Sequence, residues 1–400
     1  MRRPPICPLF GDCGGCSVFE RDYGAELDAR LARAAAALAA EGPPDLPPLA
    51  LLHERAGRAP RHYRTRLLWP VQAGPRGRLR AGLYRSGTHE LVEIERCETQ
   101  DPDLTALAHA TLALAEEHGL EARDERTGAG FLRAVDLRVM PATGQALVGL
   151  VTAGGVWDEG PAFARELRRG VARLERRGGR RPFTVEGVLR NLNDDRGNRV
   201  LGPAWLPLAG RAYQDDRAAD LVLRVSAGSF YQSNGHADRL LYRPVLAALG
   251  GLEGQRVVDA YGGVGCFALR LARAGAASVT LVESHAGAVR DAGGNVTRNG
   301  LEQRVEVRAG RVAEVLGTLE PGPDLCLLDP PRAGLMAEGR DALLSLRPAR
   351  IAYVSCHAPS LARDLGPLVQ GGYRVTTLAA ADLFPRTSHV EVVAVLARLP

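Results

Sequence analysis

From Gln255 onward the chain alternates short apolar strands with helix-length segments, and the alternation fails only at the very end. The strands read as residues 256–260, 278–283, 304–307, 325–328, 351–355, 374–378 and 390–396. Helix-length insertions between the first five imply crossover connections, and hence a parallel sheet covered by helices. The last two strands are joined by residues 379–389 without a helix, so they should form an antiparallel hairpin at one side. The predicted fold class is α/β, a seven-stranded sheet of five parallel strands plus that hairpin. A plain dinucleotide-binding sheet has no reason for the hairpin.

Upstream the pattern changes. The first 16 residues are a loop rich in Cys, Gly and Pro, and residues 22–41 read as an Ala-rich helix closed by Gly42-Pro43-Pro44. From Leu51 to about Tyr231, short alternating runs such as 67–69, 79–84, 135–139 and 146–151 are punctuated by Gly, Pro and Asn, which predicts β structure. A helix over 103–118 interrupts it, and another over 236–249 leads into the last sheet. At 400 residues the chain exceeds one ordinary core. The expected division is a cysteine-rich arm and helix at 1–50, a central mainly β domain at 51–235, and the α/β domain at 236–400.

Charge narrows the partners. The basic residues are all Arg, and the net charge is +5 with a pI near 8.9, below the level of about 9 that marks a nucleic-acid binder by itself. Distribution says more: residues 54–96 hold ten Arg against four Glu, and 165–181 hold eight against two. Such runs are either solvated surface or phosphate-binding faces, because Arg matches phosphate oxygens bidentately. No run approaches the roughly 18 apolar residues of a membrane helix, and the start lacks the apolar core of a secretion signal. A cytoplasmic protein without a membrane partner is expected, and a monomer.

Four motifs carry chemistry. Asp259-Ala-Tyr-Gly-Gly-Val-Gly265 ends the first strand and opens a helix, and Glu283 ends the second, where a carboxylate can accept both ribose hydroxyls. Alone the glycine run is either a tight turn or a nucleotide-type site; its spacing is not Gly-x-Gly-x-x-Gly, which argues against NAD and for S-adenosylmethionine. Asp329-Pro-Pro-Arg-Ala-Gly334, Val354-Ser355-Cys356 and Phe384-Pro-Arg-Thr-Ser-His-Val-Glu391 follow strands four, five and six. They lie at the carboxyl edge, where open α/β sheets bind ligands. Separately each has a structural explanation: a rigid turn, a small packing Cys, an exposed hairpin.

Together these runs resemble the RNA uracil-5-methyltransferase family, in the family's order and over nearly the whole chain. Ser229-Phe230-Tyr231-Gln232-Ser233-Asn234 is similar to its Phe-x-Gln-x-Asn signature, and the segment from Gly187 to Gly202 to its central domain. The resemblance implies a class I methyltransferase fold with S-adenosylmethionine as cofactor. It implies Cys356 as nucleophile, Glu391 as base, and Gln232, Tyr261, Glu283 and Asp329 as the cofactor-contacting set. The chemistry suits these residue types. Carbon 5 of uracil is a poor nucleophile until a thiolate adds to carbon 6, and a base must later remove the carbon 5 proton. Amino-group methylases place an aromatic where Arg332 stands, and RNA cytosine-5 enzymes place a Cys in the loop that here reads Asp329 to Gly334. The chain departs from the family at His357-Ala358, where Asn-Pro is usual, at Cys266, where Asn is frequent, and at Arg311.

Seven Cys are present: 7, 13, 16, 97, 266, 326 and 356. Cys7, Cys13 and Cys16 in a Gly-rich loop have ligand spacing, with Cys97 as a fourth, and zinc or a [4Fe–4S] cluster would accept four thiolates. Cys-Pro-x-Phe-Gly-x-Cys-Gly-Gly-Cys resembles the iron–sulfur segment of the family's 23S ribosomal RNA members that lack an N-terminal TRAM barrel. That implies the cluster, with zinc as the alternative, and ribosomal RNA as the partner. The RNA would be gripped by the central domain and the basic runs. Transfer RNA is the alternative substrate, and a catalytically silent, metal-containing RNA-binding protein is the alternative of another class.

Overall fold

Asp22 caps the first helix, its carboxylate accepting from the N–H groups of Gly24 and Ala25. In the computed structural model, which describes residues 7–19, 22–171 and 183–400, helix α1 (Tyr23–Glu41) follows, then the two-residue strand β1 (Ala50–Leu51). The buried stripe of α1 holds Tyr23, Leu27, Ala34 and Leu38, but also Glu26 and Arg30.

The central region is built from β2 (Arg66–Ala73), β3 (Leu79–Tyr84), β4 (Leu91–Glu93), α2 (Pro102–Glu117), β5 (Leu132–Met140) and β6 (Gln145–Thr152). Helix α3 (Gly160–Val171), β7 (Thr184–Leu192) and β8 (Ala204–Gly210) complete it. The seven strands run in the order β4-β3-β2-β5-β6-β7-β8. All pair antiparallel except β6 and β7, whose crossover carries α3. Leu104, Leu107 and Leu112 of α2 and Phe163 and Leu167 of α3 share a core with Trp69, Val135 and Leu150 of the sheet. The second basic run falls partly on 172–182, outside the described residues. A separate hairpin, β9 (Tyr213–Ala218) with β10 (Leu221–Ser226), leads onward.

The helix expected over 236–249 begins as a wide turn at Asp238–Tyr242 before settling into α4 (Arg243–Leu249). Then come β11 (Arg256–Ala260), α5 (Cys266–Arg273), β12 (Ser278–Glu283), α6 (Ala286–Arg298), β13 (Val305–Ala309) and α7 (Val312–Leu316). The chain ends with β14 (Leu325–Leu328), α8 (Ala337–Leu346), β15 (Arg350–Ser355), α9 (Ala358–Gln370), β16 (Tyr373–Ala381) and β17 (Glu391–Arg398). The sheet order is β1-β16-β17-β15-β14-β11-β12-β13. Strands β11 to β15 are parallel, and β17 inserts antiparallel between β15 and β16. This is the class I methyltransferase arrangement, with one strand more than the sequence indicated. The addition is β1, which pairs parallel to β16 through Ala50↔Ala379 and Leu51↔Ala380.

Two cores sandwich this sheet. On one face Phe267, Leu271, Ala292 and Val296 of α5 and α6 pack on Leu281, Leu327 and Val354. On the other, Leu343 and Leu346 of α8 and Leu361 and Leu365 of α9 pack on Val258, Leu328 and Tyr353, and Leu38 of α1 joins them. The N-terminal helix therefore lies in the helical layer of the C-terminal sheet. Among the described residues no helix is long and apolar enough to cross a membrane. Leu327 is fully buried at the centre of the sheet. Leu327→Ala should cost about 2–5 kcal/mol, measured as a lowered urea midpoint with an unchanged slope; a loss below about 1 kcal/mol would contradict this packing.

Candidate active site

Register decides which side chains meet. In the antiparallel pairing of β15 with β17, Ser355 stands opposite Val392, so Cys356, one residue beyond Ser355, comes level with Glu391, the first residue of β17. On the other side of β15, Leu328 pairs with Tyr353 in parallel, and Asp329 follows at the same edge. Three residues spread over more than sixty positions thus converge at the carboxyl ends of neighbouring strands. The turn after Asp329 is anchored through Asp364, whose Oδ2 accepts from the N–H of Leu335 at 2.7 Å and the hydroxyl of Tyr353 at 2.6 Å. Gly334 has φ +81°, and a Cβ there would strike that same carboxylate.

The electrostatics follow from this crowding. Burial, then the charges of Glu391 and Asp329, push the Cys356 thiol up to about 11, with Arg332 acting in opposition. Burial and then Asp329 raise Glu391 to about 8, and burial raises Asp329 to about 7. The protein alone therefore keeps both the thiol and Glu391 largely protonated at neutral pH. Arg332 is exposed at the rim, with Nη1 3.4 Å from Nε2 of His389. His357 caps α9, its Nδ1 accepting from the N–H of Ser360 at 3.3 Å. The ring at this departure from the family pattern thus serves as a helix cap, and burial with Arg332 and Arg363 lowers its pKa.

The expected cofactor residues lie along the same edge. Tyr261 adopts φ 63°, a left-handed conformation uncommon for a bulky residue, immediately after β11. The carboxylate of Glu283 accepts from the N–H of Gly263 at 3.0 Å and from those of Ser284 and His285 at 2.7 Å each. It therefore ties the glycine turn to the end of β12 and keeps lone pairs for a ligand. Asp259 accepts from the N–H of Ala268 at 2.8 Å, while its buried Oδ1 has no partner among the described residues. Burial, with Asp329 and Glu283, raises Asp259 to about 8. Gln232 is buried in the link between the sheets. There Ser229 Oγ donates to Asp291 at 2.6 Å and Asn234 Nδ2 donates to the carbonyl of Leu383 at 2.5 Å.

Known proteins share this fold. A solved structure of Pyrococcus abyssi tRNA (uracil-54, C5)-methyltransferase, in complex with S-adenosyl-L-homocysteine, has a TM-score of 0.74 at 24% identity. It matches 98% of this chain and 86% of that one, a likeness of fold. The family model for tRNA (uracil-5-)-methyltransferases matches residues 323–399, the stretch that contains Asp329, Cys356 and Glu391. An uncharacterized RNA methyltransferase of Synechocystis is 33% identical over 99% of this chain and 82% of its own length. One from Bacillus cereus is 32% identical over 100% and 84%. The chain belongs to the RNA uracil-5-methyltransferase family.

Two sequence expectations concern the cysteines and the first basic run. Cys7, Cys13, Cys16 and Cys97 line one cavity, together with Phe10, Phe19 and Arg64, well apart in the chain from Cys356. Yet among the described residues no group of three or more His, Cys, Asp or Glu is placed to hold a metal ion. The four Cys thus share the lining of one cavity without forming a metal-ligand group among the described residues, either for zinc or for a cluster. Burial, then Cys97, raises Cys16 to about 12, and the N–H of Gly15 donates to Cys13 Sγ at 3.4 Å. Cys266 and Cys326 are buried. The second expectation concerns the basic run at 54–96. Arg55, Arg61, Arg66, Arg78, Arg80 and Arg85 are engaged with Asp28, Glu98, Asp136, Glu93, Asp12 and Glu90. Arg58, Arg76 and Arg96 are exposed without an ion pair among the described residues. Charge counting could not separate these groups, because Asp12, Asp28 and Asp136 lie far outside the run and Glu90 and Glu93 within it pair with only some of its Arg.

Because the thiolate is the reactive form and its pKa is raised, alkylation of Cys356 by iodoacetamide in the free enzyme should accelerate as pH rises towards about 11. Glu391→Gln removes a neighbouring negative charge and should move that profile to lower pH. An unmoved profile would mean that the two groups are not electrostatic neighbours.

Proposed function

We propose that this enzyme methylates carbon 5 of a uridine in RNA through a covalent adduct between Cys356 and uracil. The observation that carries the proposal is the placement of a partly exposed thiol level with a buried carboxyl by the β15–β17 register. S-adenosylmethionine supplies an electrophilic methyl group. The glycine turn, Tyr261, Glu283 and the unpartnered Oδ1 of Asp259 fit it, since buried carboxyls whose ionised forms repel one another suit a ligand that carries positive charge. Gln232 and Asp329 complete the proposed contact set.

In the protein's own steps, the Cys356 thiolate adds to carbon 6, and the electron pair released makes carbon 5 nucleophilic. Once carbon 5 carries the methyl group, Glu391 in its ionised form takes the carbon 5 proton. The bond to sulfur then breaks, restoring the ring double bond and the thiolate. Arg332, exposed beside the thiol, stabilises its ionised form. We assign ribosomal RNA as the substrate from the resemblance of the cysteine segment. Transfer RNA is a second reading, supported by the tRNA enzyme of like fold. The test is a map of 5-methyluridine in ribosomal and transfer RNA from a strain lacking the gene. The site lost identifies the substrate, and loss from neither overturns the activity.

The covalent step has its own test. Cys356→Ala should abolish methyl transfer with the fold intact, whereas Glu391→Gln should accumulate an RNA–protein band that survives denaturing electrophoresis. RNA containing 5-fluorouridine should trap the wild type similarly. Absence of the band with both probes, alongside turnover of normal RNA, would overturn the mechanism.

We further propose that the cavity lined by Cys7, Cys13, Cys16 and Cys97 holds a [4Fe–4S] cluster. What supports it is that all four thiols line one cavity and that such a cluster takes four Cys thiolates, as the resemblance of the cysteine segment implies. Protein purified without oxygen should be brown with about four irons per chain. Ser at any of these positions should lose colour and iron, and Ser at Cys266 or Cys326 should not. Colourless protein with one zinc would refute the assignment.

A further inference from the structure

The loop that leads into Glu391 is held by a buried ionic network in which the proposed chemistry has no part. Residues 382–390 join β16 to β17. Asp382, at the start of this loop, accepts from both guanidinium nitrogens of Arg30 at 2.7 and 3.0 Å and from the hydroxyl of Tyr23. Its own N–H donates to Nε2 of His53 at 3.0 Å. Arg30 also donates to the carbonyls of Phe384 at 3.5 Å and His389 at 3.3 Å. Farther along, Glu26 accepts from the N–H of Arg386 at 2.9 Å and pairs with its guanidinium. The carbonyl of Arg386 accepts from Ser17 and Val18 at 2.9 and 3.1 Å, next to Cys16. The Glu26 and Arg30 side chains are 0% exposed.

Tyr23, Glu26 and Arg30 lie three and four residues apart, on one face of α1. Apolar side chains would fasten that face to the sheet at lower cost than ions withdrawn from water, and Leu27, Ala34 and Leu38 already do so. What directed ionic bonds add is a single geometry. Their bonds go to the beginning, middle and end of one loop, not to the sheet at large.

We propose that Glu26 and Arg30 are positioning residues for methyl transfer, locking residues 382–390 so that Glu391 stands ready at the Cys356 adduct. This rests on the covalent reading above. Neither residue touches substrate; both act through the loop.

The experiment uses the full chain with Glu26→Gln, Arg30→Met and Arg30→Lys, and the milder Tyr23→Phe in case the first two fold poorly. Amide hydrogen exchange should show protection lost in peptides spanning 382–391 and kept in β14 and β15. On normal RNA, kcat should fall about tenfold to a hundredfold, the scale of an ångström's misplacement, while KM for RNA stays within about twofold. The covalent adduct should accumulate, because addition precedes proton removal. Arg30→Lys should restore part of the rate and part of the protection, since it keeps a charge at Asp382 without the planar fork. Unchanged kcat per folded molecule, or protection lost evenly through the sheet, would make the network mere scaffolding and overturn the proposal. Wild-type enzyme with 5-fluorouridine RNA runs alongside. If it forms no adduct the covalent reading fails, and exchange and kcat still decide the positioning role.

Discussion

Everything at the proposed catalytic edge depends on one strand running the wrong way. Were β17 parallel to β15, its first residue would lie at the opposite edge of the sheet, some five residues from Cys356. Inserted antiparallel, it begins where β15 ends, and the pairing of Ser355 with Val392 leaves no freedom in which residue meets the thiol. A shift of one residue would turn Glu391 to the other face. The hairpin is thus the structural reason that a carboxyl can serve a cysteine at the mouth of an otherwise parallel sheet.

That placement has an electrostatic side. Asp259, Asp329 and Glu391 are each raised chiefly by desolvation, and neighbouring carboxyls add to the effect at Asp259 and Glu391. Cys356 shares the same environment. In the protein alone Cys356, Asp259 and Glu391 are largely protonated at neutral pH, and Asp329 only in part. Arg332, exposed at the rim, and a backbone hydrogen bond favour the ionised thiol. Reactivity is therefore conditional on what enters the pocket.

Much of this was legible in the sequence because it is local. The strand–helix alternation and the missing last helix gave the sheet to within a residue or two at most strand starts. Asp329, Cys356 and Glu391 stand out by motif and by position after successive strands. The rest depends on distance. Two-residue β1 carries no periodic signal and exists only because β16 offers an open edge. Arg66 and Asp136 pair across strands seventy positions apart, so a basic run in the sequence is partly neutral in space. Glu26 and Arg30 belong to no motif on their Ala-rich helix. The one available signal was their place within the stripe of Tyr23, Leu27, Ala34 and Leu38, where a charge needs a partner that no local pattern names.

The contact between Glu26 and Arg386 closes a span of 360 residues. During synthesis the N-terminal helix emerges on the order of tens of seconds before the loop that completes its ionic face, at roughly 5–20 residues per second. Until then Glu26 and Arg30 have mainly each other, one helical turn apart at 3.8 Å. A contact of such long range can form only late in synthesis, and topologies rich in such contacts fold slowly.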